Sequence, residues 1–246
     1  MKIRNFLGLP TWLLLSIAAV PGAIAAPIAC PTTGTYQDLL NSNAGGGCTL
    51  SVGGGASLTF LDFAYTPSGV DTPTAAGMSY ALDNPGVDQG VPIFGFEFRP
   101  GLSVTGTAVQ TIALSYLVVP SGTAITSAHL AQTATASGGG VGQVSENLMF
   151  CIAGDPNNTS GMCRTFGGNP LTVSTSGSSS DVANFGAWTS MTVAKTIMAS
   201  SGSAGGTAAI TQVRDSVDLV TPEPTAYGLL GMGLLVAGYF ARHRTG

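Results

Sequence analysis

Few residues in this chain have side chains suited to acid–base or nucleophilic chemistry, and they stand far apart in sequence. Between positions 26 and 220 the one histidine is His129. Serine hydrolysis would need it as base to an activated hydroxyl, but no Gly-x-Ser-x-Gly elbow accompanies it. A histidine inside a strand-like run reads as structural or solvent-facing. Glu97 and Glu146 are the pair that glycoside cleavage would use. Each is expected opposite an apolar face, as a solvated surface charge. The run Asp155-Pro156-Asn157-Asn158-Thr159-Ser160 is rich in oxygen ligands. It lacks the alternating Asp/Asn pattern and closing glutamate of a dedicated calcium loop, so a tight Asx/proline turn is the plainer reading. Asn157 and Asn158 each open a glycosylation-type triplet. Glycine triplets at 45–47, 53–55 and 138–140 do not fit phosphate-loop spacing and read as exposed turns. Trp188 offers either a flat platform for a sugar ring or a buried strand edge. No catalytic or metal site emerges, and no cofactor is expected.

The four cysteines, Cys30, Cys48, Cys151 and Cys163, lack close ligand spacing and have no histidine nearby, which argues against a metal site. In an exported chain they read as disulfides. Four cysteines allow three connectivities. The local pairs, Cys30 with Cys48 and Cys151 with Cys163, are favoured. Each would close a modest loop, stabilising by about 3 kcal/mol.

The elements that must position these residues are strands. In 93–99, Phe94, Phe96 and Phe98 point one way and Gly95, Glu97 and Arg99 the other, so three aromatic rings need a core. In 111–119, Ile112, Leu114, Tyr116 and Val118 share a face while Leu117 and Val119 take the other, as in a central strand covered on both sides. Met78, Tyr80 and Leu82 alternate likewise. Further strands are expected at 58–65, 125–136, 144–151, 171–174, 189–198 and 208–219. Turn-rich joints separate them at 67–69, 84–86, 120–122, 138–140 and 200–206. One helical turn is expected at 36–40, with Thr35 and Asp38 spaced as a capping box. The fold class expected is all-β: one antiparallel β-sandwich domain over 26–220, jelly-roll or Ig-like.

Charge narrows the function classes. Charged residues make up only 8% of the chain. The 26–220 segment holds four basic residues against eleven acidic ones, a net charge of minus seven. Such a surface repels phosphate backbones, so nucleic-acid binding is excluded.

The two ends read as addresses. Lys2 and Arg4 precede an apolar run over 6–20, Pro21-Gly22 breaks it, and Ala23-Ile24-Ala25 is a small-x-small cleavage site. Residues 1–25 are therefore expected to be a signal peptide, cut between Ala25 and Ala26. A lipoprotein signal ending at Cys30 is disfavoured because Pro27-Ile28-Ala29 lacks the branched apolar residue expected there. At the other end, Pro222-Glu223-Pro224 holds the chain extended. An apolar run over 226–241 follows, then Arg242, His243 and Arg244. As a helix, 227–241 would span roughly 22 Å against a hydrocarbon core of about 30 Å. Tilt and snorkelling arginines can cover that deficit.

That three-part tail, 221–246, resembles the PEP-CTERM sorting signal of Gram-negative bacteria: the Pro-Glu-Pro motif, a transmembrane-like helix and a basic stop. The resemblance implies recognition by exosortase, a membrane-embedded cysteine protease-like enzyme, in exopolysaccharide-producing bacteria. An ordinary C-terminal anchor is the competing reading, and both deliver the protein to the envelope. The opening of the domain is similar to a recurring group of PEP-CTERM proteins: Cys30, then Gly34-Thr35-Tyr36-Gln37-Asp38-Leu39-Leu40, then Gly45-Gly46-Gly47-Cys48. That likeness implies a β-rich domain and adds no reaction. The expectation is an exported cell-surface or extracellular-matrix protein, structural or adhesive rather than enzymatic. Its expected partners are exosortase and the export machinery, the membrane through its tail, and exopolysaccharide as a candidate ligand. The alternative is a carbohydrate-binding module acting on envelope or matrix polysaccharide.

Overall fold

The computed structural model describes residues 26–88, 91–150 and 170–220. The expected signal segment with Ala25, Cys151, Cys163, the 155–160 run and the whole 221–246 stretch lie outside them. Among the described residues, no helix is long and apolar enough to cross a membrane.

Alternating side chains produce two sheets that share one core. The first runs, in spatial order, β1 (Ile28–Ala29), β3 (Cys48–Gly53), β4 (Ala56–Gly69), β8 (Val109–Ser121), β13 (Met191–Ser200), β10 (Val141–Phe150) and β11 (Pro170–Ser174). The second runs β12 (Ser180–Trp188), β9 (Ala124–Ser137), β14 (Thr207–Val220), β6 (Val91–Arg99), β5 (Ser79–Asp88) and β2 (Thr33–Thr35). A short strand, β7 (Leu102–Thr105), pairs with the start of β14. Pairing is antiparallel except between β1 and β3, which run parallel.

Glycine-rich joints carry the chain from one sheet to the other. Gly138 and Gly139, between β9 and β10, take φ of 58° and 85°, a region other residues enter at a steric cost. The expected turn at 84–86 is instead part of β5, where the register shifts between Asp83 and Gly86. A bulge absorbs the extra residues and leaves the strand continuous. Strands β1, β2, β3, β7 and β12 were not among the expected elements.

Helix α1 (Tyr36–Ser42) follows Thr35, whose backbone N–H and hydroxyl both donate to Asp38 Oδ2 at 2.8 Å. Those donors hold the Asp38 carboxyl below its ordinary pKa. The helix buries Tyr36 and Leu39 against the core. Its position is pinned by the Cys30–Cys48 disulfide, which joins the chain just after β1 to the first residue of β3.

The core is aromatic at its centre. Phe96 is fully buried, with ring centroids of Phe60 at 4.7 Å, Phe98 at 5.4 Å, Tyr80 at 5.5 Å and Tyr116 at 5.9 Å. Phe60 and Tyr116 belong to the first sheet and Phe96 to the second, so these rings join the two layers. On the outer face of β8, Leu117 is buried with Leu61, Val119 and Met149 packed on it.

Candidate functional site

Three charged side chains sit where strand period places an apolar one. In β10 the inward set is Val144, Glu146, Leu148 and Phe150; in β13 it is Met191, Val193, Lys195, Ile197 and Ala199. In β14, Val213, Asp215 and Val217 point inward. Glu146 and Lys195 are register partners across β10 and β13, and Asp215 reaches them from the opposite sheet. Glu146 was expected as a solvated surface charge. It is instead wholly buried, because it lies in phase with Val144 and Leu148 and backbone periodicity outweighs its charge.

These groups satisfy one another. The Lys195 ammonium donates to Asp215 Oδ2 at 2.8 Å and to Glu146 Oε2. The Tyr116 hydroxyl donates to Asp215 Oδ2. Tyr36, beside Tyr116 in the aromatic cluster, sends its hydroxyl to the carbonyls of Ala64 at 3.0 Å and Ser115 at 3.3 Å. Glu146 Oε1 has no donor among the described residues.

Burial, and then the Asp215 charge, push Glu146 up to about 8, with Lys195 pulling the other way. Burial alone would lower Lys195, but Asp215 and Glu146 more than reverse it and raise its pKa. Burial, followed by Asp215 and Glu146, raises Tyr116 well above the usual phenol value. Near neutral pH Glu146 is therefore held as a neutral acid beside a charged Lys195. That composition avoids most of the penalty of burying ions. As a neutral acid Glu146 has a proton to give, and Asp215 is the neighbouring carboxyl whose charge helps to keep it there. Sealed in the core, the cluster cannot turn over a diffusing substrate. Its members can only brace the sheets or react with each other.

The other candidates lie elsewhere. Glu97 stays on the outer face of the second sheet, accepting from Arg99 at 2.8 and 3.1 Å, with Arg214 at 3.6 Å. Arg214 also meets Asp83 at 3.1 Å. Burial raises the Asp83 pKa, partly offset by Arg214. Glu97 and Glu146 thus occupy different layers and do not form one acid–base pair.

His129 has company that sequence reading missed. Its Nε2 lies 3.0 Å from Asp218 Oδ2 and 3.2 Å from Ser127 Oγ, while the Ser127 hydroxyl donates to the same Oδ2 at 2.5 Å. A hydrolytic relay passes through both ring nitrogens, carboxylate on one and hydroxyl on the other. Here serine and carboxylate converge on one nitrogen and on each other, so the hydroxyl is held rather than activated. The signal was available: Ser127 and His129 are two apart on β9, and Asp218 is the register partner of Ser127. Trp188, at the end of edge strand β12, stacks on Phe150 at 5.1 Å and 19°. It is a partly buried edge residue rather than a bare platform. Among the described residues, no group of three His, Cys, Asp or Glu side chains is placed to hold a metal.

No protein-family model matches the chain, and no curated protein does. Two solved chains match it. One is TmCBM61 in complex with β-1,4-galactotriose, 13% identical, with a TM-score of 0.30, covering 64% of this chain and 88% of that one. At that TM-score the likeness bears on neither fold nor ligand.

Proposed function

We propose that this is an exported surface or matrix protein of an exopolysaccharide-producing Gram-negative bacterium, sorted by Pro222-Glu223-Pro224 and serving a structural or adhesive role. The observation that carries the reading is where the reactive side chains lie. The ammonium and two carboxyls that could do chemistry are sealed between the sheets, while the Cys30–Cys48 disulfide ties down the start of the domain. A rigid oxidised sandwich suits life outside the cytosol. The 221–246 tail supplies its address, with exosortase as the processing partner and the membrane as the station on the way.

The test is cell fractionation with intact mass of the mature product. Deleting residues 222–246 is expected to send the domain into the medium, and Glu223→Ala to impair processing. An unchanged mass and location for Glu223→Ala would overturn recognition of the motif.

A second reading, binding of a matrix polysaccharide, is favoured by one feature. A groove of about 390 Å³ on the second sheet's flank is lined by Gln132, Thr135, Ser174, Thr175 and Ser179. Amides and hydroxyls of this kind suit sugar hydroxyls. Glycan-array binding that disappears with Gln132→Ala, while Trp188→Ala leaves it intact, would support this reading. Binding lost only with Trp188→Ala would sink the assignment to the groove.

A further inference from the structure

The chain has two lysines, Lys2 and Lys195. Solvated lysines are the ordinary case, yet Lys195 is buried at the meeting point of both sheets. A salt bridge is a poor reason for that placement. Even with its charges paired, a buried ionic cluster gains little over apolar residues of similar size, which serve stability as well or better. The geometry fits a reaction instead.

We propose that Lys195 and Asp215 condense spontaneously to an intramolecular isopeptide bond, with Glu146 as the proton shuttle. Nζ lies 2.8 Å from Asp215 Oδ2, so the amine stands near the separation of about 3–3.5 Å from which attack on the carboxyl carbon proceeds. Both partners are held by β-strands rather than loops, in a core that excludes water. The interior also biases the starting state. In water the ammonium and carboxylate are strongly solvated and amide formation runs uphill. In a dry interior the ion pair remains the resting form, but proton transfer from Lys195 to Asp215 removes two buried charges. The neutral amine and acid are then reached at less cost than in water, and the water produced escapes to bulk.

The step balances without an outside reagent. The Nζ lone pair attacks Cγ of the protonated Asp215, forming the C–N bond. With the proton of the acid on Oδ1, the oxygen that becomes negative is Oδ2, which the Tyr116 hydroxyl steadies. Glu146 bonds Lys195 through Oε2 and lies close enough to Asp215 for the two carboxyls to interact. It gives its proton to the departing hydroxyl and takes one from nitrogen. The C–O bond breaks and water leaves. One amine and one carboxylic acid become one amide and one water; nothing is oxidised, and Glu146 ends as it began. The bond would fasten β13 of the first sheet to β14 of the second by a link that reductants cannot open.

The test uses the full chain, purified folded, then denatured, reduced and weighed. The expected mass of the mature product is short by one water. Trypsin should fail to cut after Lys195, leaving the peptide that contains it joined to the peptide beginning at Asp215. Lys195→Met and Glu146→Gln should each restore the missing water and separate the two peptides. Asp215→Asn should form the same amide with loss of ammonia. Wild-type protein of full mass, cut normally after Lys195, overturns the proposal, and it decides even where a variant fails to fold. A missing water without the branched peptide overturns it too. Cross-linking at the wild-type level in Glu146→Gln overturns the role given to Glu146.

Discussion

Glu146 should make this protein less stable as pH rises, and Glu146→Gln should abolish that trend. Unfolded, its carboxyl titrates near the ordinary 4.5; folded, it is pushed up to about 8 by burial and by Asp215. Between those values the folded state holds a proton that the unfolded state has released. Stability therefore falls with increasing pH through that window and levels off above it. The benefit is fully present below 4.5 and lost as pH climbs past 8. Each pH unit is worth about 1.4 kcal/mol per proton, which sets a ceiling on the order of 5 kcal/mol. Because Lys195 pulls the other way, the expected fall is smaller than that ceiling. Glutamine keeps the shape and an N–H donor toward Asp215 but cannot ionise, so the variant's profile should be nearly flat by comparison. The assay is urea unfolding of the folded chain from pH 5 to pH 8, comparing the slopes of wild type and variant. A Lys195–Asp215 bond would remove the charges of both partners but not the burial, which is the largest cause of the Glu146 shift, so the fall is expected with or without it. Parallel slopes would refute the claim that Glu146 is neutral in the fold.

Three further outcomes are expected. Replacing Cys30 and Cys48 by serine should cost about 3 kcal/mol, the constraint lost from a loop of 18 residues; urea midpoints that are equal with and without reductant would count against it. Gly95→Ala should cost at least about 3 kcal/mol, because a Cβ there would lie 2.0 Å from the Asp215 carbonyl oxygen. Soluble, cooperatively folding protein with an unchanged melting temperature would contradict that contact. Glu97→Gln, which touches only outer-face arginines, should shift stability by about 1 kcal/mol or less. A loss comparable to that of a core truncation would show that Glu97 has been misplaced.

Much of the fold was written in period-two alternation. Phe94, Phe96 and Phe98 face the core as the pattern of 93–99 requires, and 111–119 lies inside β8, with neighbours on both sides. The capping box at Thr35 and Asp38 marked the helix, which runs two residues longer than expected. What failed were the places where a local signal competed with tertiary context. Asn84-Pro85-Gly86 has turn composition, but neighbouring β6 supplies enough pairing to carry β5 through as a bulge. β3 lies between Cys48 and a glycine triplet, and its apolar content is too low to announce a strand without β4 beside it.

The buried cluster shows the opposite failure, a legible signal discounted. Glu146, Lys195 and Asp215 each stand in phase with flanking apolar residues, and their type was allowed to override their position. A lone charge in phase with a core face is a mistake of sequence or a clue. When three strands each carry one, and their signs can cancel once a proton is shared, coincidence becomes a weak account. No single strand reveals this, because the partners are 20 to 69 residues apart and meet only when the two sheets close. The same reasoning separates the cluster from Ser127, His129 and Asp218. Those three side chains contain the residue types of a hydrolase, but serine and carboxylate meet at the same ring nitrogen of His129 and at each other. Residue type nominates chemistry, whereas strand phase and donor direction decide it. On that basis the reactive centre of this protein lies in its interior, where the substrate within reach is the protein itself.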